Sequence, residues 1–501
     1  MDPEKRIHFF LDIPTLLCYN NQEGDDFMKK IAKILFIAML ISVFSSACGS
    51  SESEVFDMDY SGGTGATVDL EGRDIFYNLC YDSSRVLGFE DNTEFADLAR
   101  TRIDEVEKNL NCNIELVYGS PGFAELISTS YAGTFMCDIL CGETNHSIDA
   151  ARAGLLVGMS TLDGIIDVND SEKWGNKNQL LGMCWEDDLY GLLPAAWPEL
   201  TMLVFGYPLA ANVNIISRLG LTDPRDYVEN KAWTWDQFEE CLEAWTIMEG
   251  GEVKTYGLSA YINTFQQMFI RTNGASLIEK TADGSYKYGF GSPAAVKAME
   301  KAREIWTGDL SYTIKDAGYG PASEMLVNGE ATMCLTGGSF IYGSDGIISK
   351  NVENFTVLPW PYGPDAEPGH TFSNFSGTGY CITIPIMGRD PESTAVVLDA
   401  VYEPLTGLDS FEAIKEHMSR YYFFDPRDTE VYFDMNLAMH FNFGYCGMVG
   451  QYTDFITYSG SVASYIESKE VSAENLFEEY VMPALRGAEA VWGSYEEYNG
   501  K

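Results

Sequence analysis

The chain has 501 residues, of which 46% are hydrophobic and 13% aromatic, so it is long enough for two or three domains and lacks a disordered composition. Its formal net charge of −43 argues against nucleic acid as a partner, and against contact between the protein body and an anionic membrane surface. The ordinary consequence of such a charge is solubility.

Residues 28–47 carry the parts of a secretion signal. A basic head with Lys29 and Lys30 precedes an apolar run of about 14 residues, and small residues then lead to Cys48. The run is too short for comfortable passage through a bilayer, which takes roughly 20 residues. The segment resembles a bacterial lipoprotein signal, although Ser45 stands where such signals usually have Leu. Cys48 would then become the lipid-bearing N-terminus; a cleaved signal with an incidental Cys48 is the alternative.

Two segments flank this signal without a part in the fold. Residues 1–27 place acidic residues ahead of the basic head, so we expect translation to begin at Met28; an extended leader is the alternative. Residues 48–67 are rich in Ser, Gly and acidic residues, which predicts a flexible tether.

The cysteines beyond Cys48 do not form the pattern of a disulfide framework. They are scattered and odd in number, and several lie in apolar runs where a thiol acts as a small hydrophobe. We expect no metal site at "CDILC", no other metal site and no cofactor. The nine are Cys80, Cys112, Cys137, Cys141, Cys184, Cys241, Cys334, Cys381 and Cys446.

The globular part begins with alternating strands and helices. "RDIFYNLCY", "IELVYG" and "CDILCG" read as strands, and "NTEFADLARTRIDEVEKNLNCN" and "FAELISTSYAGT" as the helices between them. This alternation predicts an α/β lobe with a largely parallel sheet.

Further along, helix signals become clearer. Thr234 is placed to cap an amphipathic helix, and Asn214 is expected to open a short one before it. A third helix should end at Asn273-Gly274. Trp235 and Trp245 stand at helical spacing and are expected in the core.

Seven phrases in order carry a resemblance to a known family. They are "ARAGLLVGMSTLDGII", "YGLLPAAW", "NIISRLGL" before "TWDQFEEC", "FIRTNGASLIE", "EMLVNGEATMCLTGGS", "FTVLPWPYGP" and "ITIPIMGRDPESTAVVLDAV". In this order the chain resembles the extracellular solute-binding proteins of the maltose-binding type, which capture solutes for ATP-binding-cassette importers. The resemblance spans residues 74 to 405; residues 200–214 depart from the family's pattern, and 405–501 match only in being largely helical.

The resemblance implies an α/β fold of type II, a clamp of two lobes with mostly parallel sheets flanked by helices and the chain crossing between them. Lobe 1 would comprise residues 68–196 and 360–410, and lobe 2 residues 197–359 and 411–501. The crossings would fall at "LPAAWPE" and "VLPWPYG", where proline fixes the path of the chain. The ligand would bind in the cleft and the lobes would close around it.

The family's ligand contacts also map onto this sequence. Aromatic faces and hydroxyl-bonding groups suit a neutral sugar. The resemblance implies ligand-binding roles for Tyr81, Arg85, Asn145, Trp197, Glu199, Phe265, Gln267, Phe340, Trp360 and Ser376. It further implies a sugar ligand, ABC permease subunits as partners, membrane attachment through the lipid only, a monomeric chain, and a place on the extracellular face of the bacterial cytoplasmic membrane.

Two other functions remain open at this point. A surface-anchored polysaccharide hydrolase needs two placed carboxylates, and with so many acidic residues any pair can be found. No HExxH, G-x-S-x-G or P-loop pattern is present, so we expect no catalytic residues and no enzyme. A receptor for sugars, peptides or polyamines that does not serve transport is the third possibility.

Overall fold

The structure of the protein is a computed structural model. It describes residues 68–80, 85–87, 89–90, 94–120, 122–197, 207–308, 311–314, 319–341, 346–371, 373–375, 380–441 and 458–495. The predicted leader, signal, lipid-bearing Cys48 and tether lie outside these residues. Within them, no helix combines the length and the apolar character that crossing a bilayer would require.

The elements follow the chain in four stretches. The first comprises β1 (Arg73–Leu79), β2 (Arg85–Val86), β3 (Phe89–Glu90), α1 (Glu94–Leu110), β4 (Cys112–Val117), α2 (Phe123–Tyr131), β5 (Ile139–Glu143), α3 (Thr144–Arg152), α4 (Ser171–Trp174), α5 (Lys177–Leu180), β6 (Cys184–Trp185) and β7 (Asp188–Leu189). The second comprises β8 (Leu209–Asn212), α6 (Val213–Arg218), α7 (Pro224–Glu229), α8 (Trp235–Trp245), β9 (Ile247–Glu249), β10 (Glu252–Tyr261), α9 (Ile262–Thr272), β11 (Ile278–Lys280), β12 (Tyr286–Tyr288), α10 (Pro293–Thr307), β13 (Ser311–Ile314), α11 (Tyr319–Asn328), β14 (Ala331–Leu335), α12 (Gly338–Ile341), α13 (Ile347–Asn351) and β15 (Phe355–Leu358). The third comprises β16 (Ser373–Phe375), β17 (Tyr380–Thr383) and α14 (Pro391–Val401). The fourth comprises α15 (Phe411–Tyr421), α16 (Pro426–Leu437), β18 (Met439–Phe441), α17 (Val462–Leu476) and α18 (Met482–Trp492), with a π-helical turn at Phe477–Val481.

The first sheet has the strand order β17-β5-β1-β4 and defines what we call lobe 1. β1 pairs in parallel with both β4 and β5, and only β17, which returns from much later in the chain, runs antiparallel. Its strands fall within the residues that the sequence assigns to lobe 1.

The second sheet, which defines lobe 2, has the order β13-β10-β14-β8-β15, with β9 beside β10. β10 is parallel to β13 and β14, while β8 is antiparallel to both β14 and β15. Its strands fall within the residues that the sequence assigns to lobe 2.

Helix boundaries follow the caps that the sequence supplies. The Thr234 side chain accepts a hydrogen bond from the backbone N–H of Gln237, as predicted for the start of α8. Gly274 has a φ of 77°, which ends α9 as expected. The predicted opening by Asn214 is wrong. Asn212 caps α6 instead, accepting from the backbone N–H of Ile215, because the cap must precede the first helical residue.

Each lobe has its own aromatic core. In lobe 2 the α8 residues Trp235 and Trp245 are buried, as predicted. In lobe 1 the phenol groups of Tyr77 and Tyr402 meet, and burial holds the pKa of Tyr402 well above its ordinary value. The eight cysteines that the structure describes are thiols outside any disulfide, and seven of them are buried. Burial raises the pKa of Cys112 to about 11, which keeps that thiol protonated.

The C-terminal region contacts both lobes. α16 packs against β15 of lobe 2, and α5 of lobe 1 packs against β18 just beyond α16. α18 packs against the β6–β7 hairpin. The sequence assigns all of residues 411–501 to lobe 2, whereas α18 lies against residues assigned to lobe 1.

Candidate functional site

The ends of four strands meet at one edge of the lobe 1 sheet. β1, β4 and β5 are parallel, so their carboxyl ends lie at the same edge, and β17 begins there because it runs the other way. Register places Glu143 directly opposite Tyr380, and Cys80 donates its backbone N–H to the Cys141 carbonyl at 3.2 Å. The Ser120 N–H donates to the Leu79 carbonyl at 3.0 Å. This edge is where open α/β sheets bind ligands.

Polar groups at this edge are available for hydrogen bonding. Glu143 is partly exposed, and its Oε2 lies 3.8 Å from Nδ1 of the exposed His146. Two predicted ligand contacts belong to neighbouring segments: Arg85 lies in β2 and Asn145 at the start of α3. A carboxylate next to an imidazole can bond hydroxyl groups of a ligand.

Gly142 of β5 lets an aromatic ring pack directly on the sheet near this edge. A Cβ on Gly142 would lie 2.6 Å from Cε2 of Phe123, so the aromatic ring packs directly on the backbone of β5. Any larger residue would push the start of α2 away from the sheet.

In lobe 2, β10, β13 and β14 are parallel and end at a common edge. Phe340 lies in α12, directly after β14, and is partly exposed. A Cβ added to Gly320, at the start of α11, would lie 3.6 Å from Cε1 and 3.7 Å from Cζ of the Phe340 ring. Phe340 therefore offers an aromatic face at the strand ends, where the sequence places a ligand contact.

The other predicted aromatic contacts are interior residues in this structure. Trp197 is fully buried; its Nε1–H donates to the Glu403 carbonyl at 3.0 Å, and its ring centroid lies 5.0 Å from that of Tyr402. Trp360, which the sequence assigns to lobe 1, is buried against residues of lobe 2 and donates Nε1–H to the Tyr207 carbonyl at 2.6 Å. Their role as ligand contacts stays a prediction.

Of the remaining predicted contacts, two are also buried and three lie outside the described residues. Phe265 is fully buried, with its ring centroid 5.4 Å from that of Trp360, and Gln267 is 7% exposed. Tyr81, Glu199 and Ser376 lie outside the described residues.

Sequence reasoning did not select two tyrosines at the lobe 1 edge. Tyr118 follows β4 and Tyr380 begins β17, and both are partly exposed. Their position at strand ends was the available signal. Both lay inside segments that the sequence marked only as strands.

Both predicted crossing segments are held by buried interactions. The first is fixed because the Ala195 N–H donates to the Lys173 carbonyl at 2.7 Å, while the buried Lys173 ammonium contacts Asp399 at 2.6 Å and Glu403 at 2.8 Å. In the second, the Trp233 Nε1–H donates to the Pro359 carbonyl at 2.8 Å. These contacts define the path of each segment relative to its sheet.

Similarity to known proteins is found in structure and not in sequence. No protein-family model matches the chain, and a search of curated proteins gives no significant match. Among solved structures, the cyclic alpha-maltosyl-1,6-maltose binding protein from Arthrobacter globiformis matches with a TM-score of 0.58 and 14% identity, over 81% of this chain and 100% of that one.

Two further structures match over a similar share of the chain. The ABC substrate-binding protein Lmo0181 from Listeria monocytogenes, in complex with cycloalternan, has a TM-score of 0.53 and 14% identity, over 81% of this chain and 99% of that one. UgpB from Mycobacterium tuberculosis, in complex with glycerophosphocholine, has a TM-score of 0.54 and 14% identity, over 82% and 99%.

These matches identify the fold. The chain has the two-lobe α/β fold of type II periplasmic binding proteins. The predicted fold class and the family resemblance in fold are confirmed. At these identities the likeness extends to architecture alone, so the ligand has to be argued from the site.

Proposed function

We propose that this protein captures a carbohydrate, an oligosaccharide of a few units, between its two lobes and delivers it to an ABC importer. The observation that carries this proposal is the partly exposed Phe340 at the strand ends of lobe 2, in a fold whose solved examples include a complex with cycloalternan and a cyclic alpha-maltosyl-1,6-maltose binding protein. Phe340 supplies an apolar face of the kind that packs under a sugar ring.

The lobe 1 edge supplies the complementary polar groups. Glu143 accepts hydrogen bonds from sugar hydroxyls, and Tyr118 and Tyr380 present both a ring and a hydroxyl. Arg85 and Asn145 extend this set in the proposal, together with Tyr81, Glu199 and Ser376. A sugar needs a partner for each hydroxyl that it buries, so in this proposal the polar groups of lobe 1 bond its hydroxyls while the aromatic face of lobe 2 packs on its ring.

Attachment to the membrane through Cys48 belongs to the same proposal. β1 starts at Arg73 and ends at the candidate site, so the described chain begins at the edge of lobe 1 away from that site, where the proposed tether would join it. A tether of about 20 residues has a root-mean-square span of about 25 Å. The protein would thus stay beside its permease on the extracellular face of the bacterial cytoplasmic membrane, as a monomer, with the site unobstructed.

The ligand class is tested by binding to the protein that begins at residue 49. Thermal unfolding is measured with linear and cyclic α-glucans, their monosaccharides, glycerophosphocholine and polyamines, and hits are followed by calorimetry. A ligand at 100 times its Kd stabilises the protein by about 2.7 kcal/mol. We expect one oligosaccharide to raise the melting temperature and to be recovered intact.

The other outcomes overturn defined parts of the proposal. Stabilisation by glycerophosphocholine or a polyamine alone would replace the ligand class and leave capture in place. Release of shorter sugars over a long incubation would replace capture with hydrolysis.

A further inference from the structure

A continuous helical stretch over residues 462–492 runs from one lobe to the other. It consists of α17, the π-helical turn Phe477–Val481 and α18, and we call it the C-terminal strap. At the usual helical rise it is about 45 Å long, about one and a half times the diameter of a small domain.

The first half of the strap is attached to lobe 2. α17 packs on α10, which itself packs on α9 and β13. The Arg303 guanidinium of α10 donates to the carbonyls of Tyr458 and Gly460, which lie just before α17, the latter at 3.1 Å. Tyr465 and Ile466 of α17 are buried.

The second half is seated on the β6–β7 hairpin of lobe 1 at backbone distance. A Cβ on Gly487 would lie 2.7 Å from the Trp185 nitrogen and 2.8 Å from the Asp188 carbonyl oxygen. The Glu186 N–H donates to the Pro483 carbonyl at 2.8 Å, and the Arg486 guanidinium makes two contacts of 2.8 Å to the Glu186 carboxylate. We call this contact between α18 and residues 184–189 the seat of the strap. It combines close packing with a bidentate ion pair.

The π-helical turn lies between α17, which is attached to lobe 2, and α18, which is attached to lobe 1. Its Tyr480 ring and the Trp185 ring flank the Arg152 guanidinium, each centroid at 5.4 Å, and Glu479 pairs with Arg152 at 3.1 Å. Its Phe477 ring faces Tyr288 of lobe 2, with centroids 6.3 Å apart. A π-turn widens the helix and weakens its regular hydrogen bonding, so bending is easiest there.

The hydroxyl of Tyr286 links the α18 half of the strap back to lobe 2. Tyr286 of β12 donates to Oε1 of Glu489 at 3.1 Å, and its hydroxyl lies 3.2 Å from the Tyr495 carbonyl. Tyr495 itself is bound to lobe 1, since its hydroxyl donates to Oδ1 of Asn178 at 2.8 Å. A hydroxyl bonded to the exposed Glu489 carboxylate holds less strongly than the packed, ion-paired seat.

We propose that the C-terminal strap couples the two lobes because its α18 half is held more strongly by lobe 1 than by lobe 2. Its α18 half stays with lobe 1, the Tyr286 contact is a latch that releases when the lobes separate, and the π-helical turn is the joint that bends. The inference goes beyond the proposed ligand capture and does not rest on it, because it concerns the protein without ligand.

The latch is tested by hydrogen exchange of the full chain in detergent, without ligand. Tyr286→Phe removes both hydroxyl contacts and keeps the ring. We expect amides of the π-helical turn and of β12 to exchange roughly two- to tenfold faster, as loss of one or two such bonds implies, with residues 184–189 unchanged. Glu489→Gln, which keeps an acceptor for the hydroxyl, should exchange like the unaltered protein, and Glu489→Ala should not.

Tyr190→Phe is the matched control, because its hydroxyl donates to Asp187 at 3.0 Å within lobe 1 alone. It should leave the π-helical turn unchanged. Unaltered exchange in both Tyr286→Phe and Glu489→Ala would overturn the latch. Faster exchange of residues 184–189 in Tyr286→Phe would also overturn the proposal, because the strap would then be leaving lobe 1.

Discussion

Arg225 and Asp428 form a buried ion pair that joins lobe 2 to the C-terminal region. Nη2 of Arg225 lies 2.7 Å from Oδ2 of Asp428, and the two side chains are 4% and 1% exposed. Asp428 also accepts from the Thr356 hydroxyl at 2.6 Å, and Arg225 donates to the Phe355 carbonyl at 2.7 Å. The pair therefore fixes α16 to β15 through both members.

Asp428→Ala is expected to destabilise the protein by about 3 kcal/mol, because it removes the buried carboxylate of the pair and leaves Arg225 with the more exposed Asp223, 3.0 Å from its Nη1. Urea unfolding followed by circular dichroism measures the change. Asp226→Ala is the control, since Asp226 is half exposed and pairs with Arg427 at the surface, and should cost less than about 1 kcal/mol. Equal effects of the two substitutions would show that burial of the pair does not matter.

Phe340→Ala is expected to weaken sugar binding by about tenfold, since an aromatic contact contributes roughly 0.5–1.5 kcal/mol beyond the area that it buries. Calorimetry with the oligosaccharide identified by the thermal screen measures the change. Tyr421→Ala removes an exposed aromatic residue from α15, and its Kd should be unchanged. A Kd that Phe340→Ala leaves unaltered would remove this ring from the site.

Gly487→Ala tests the seat of the C-terminal strap on lobe 1. Alanine favours helix over glycine by about 1 kcal/mol. The added Cβ would lie 2.7 Å from a backbone atom of Trp185, and overpacking of this kind costs about 1–3 kcal/mol. We expect net destabilisation in thermal unfolding. Gly291→Ala, whose Cβ would meet only Ile466 at 3.9 Å, should be neutral.

Glu186 gives the same seat a dependence on pH. Its hydrogen bonds with Arg486 lower the pKa of the Glu186 carboxyl below its ordinary value, so the stabilisation is present above about pH 4.3 and is lost as pH falls through the folded-state pKa. Glu186→Gln should therefore be less stable than the unaltered protein at pH 7, by under about 1 kcal/mol, and equal to it at low pH.

Thermal unfolding of both proteins from pH 7 to pH 3 measures this difference. Glu249→Gln is the control, because Glu249 pairs with Lys254 at the surface of lobe 2 and both side chains are well exposed. A stability difference for Glu186→Gln that persists unchanged at pH 3 would contradict the assignment to this ion pair.

Local features of the sequence predicted local features of the structure. Thr234 begins α8 and Gly274 ends α9 where the sequence pattern places these boundaries, because a cap acts on backbone groups within one turn. Asn214 failed as a cap because two asparagines stand close together, and only the register of the preceding strand decides that Asn212 precedes the first helical residue.

The sequence alone determined the alternation of strands and helices, the buried tryptophans of α8, and an order of motifs typical of a two-lobe binding protein. Periodicity and capping are short-range, so they can be read from neighbouring residues. Only the tertiary structure decided that Trp197, Phe265 and Trp360 lie inside the lobes while Phe340 reaches the surface, because burial depends on elements distant in the chain. It alone also brought α18 against residues 184–189, a contact between segments about 300 residues apart that no local pattern encodes.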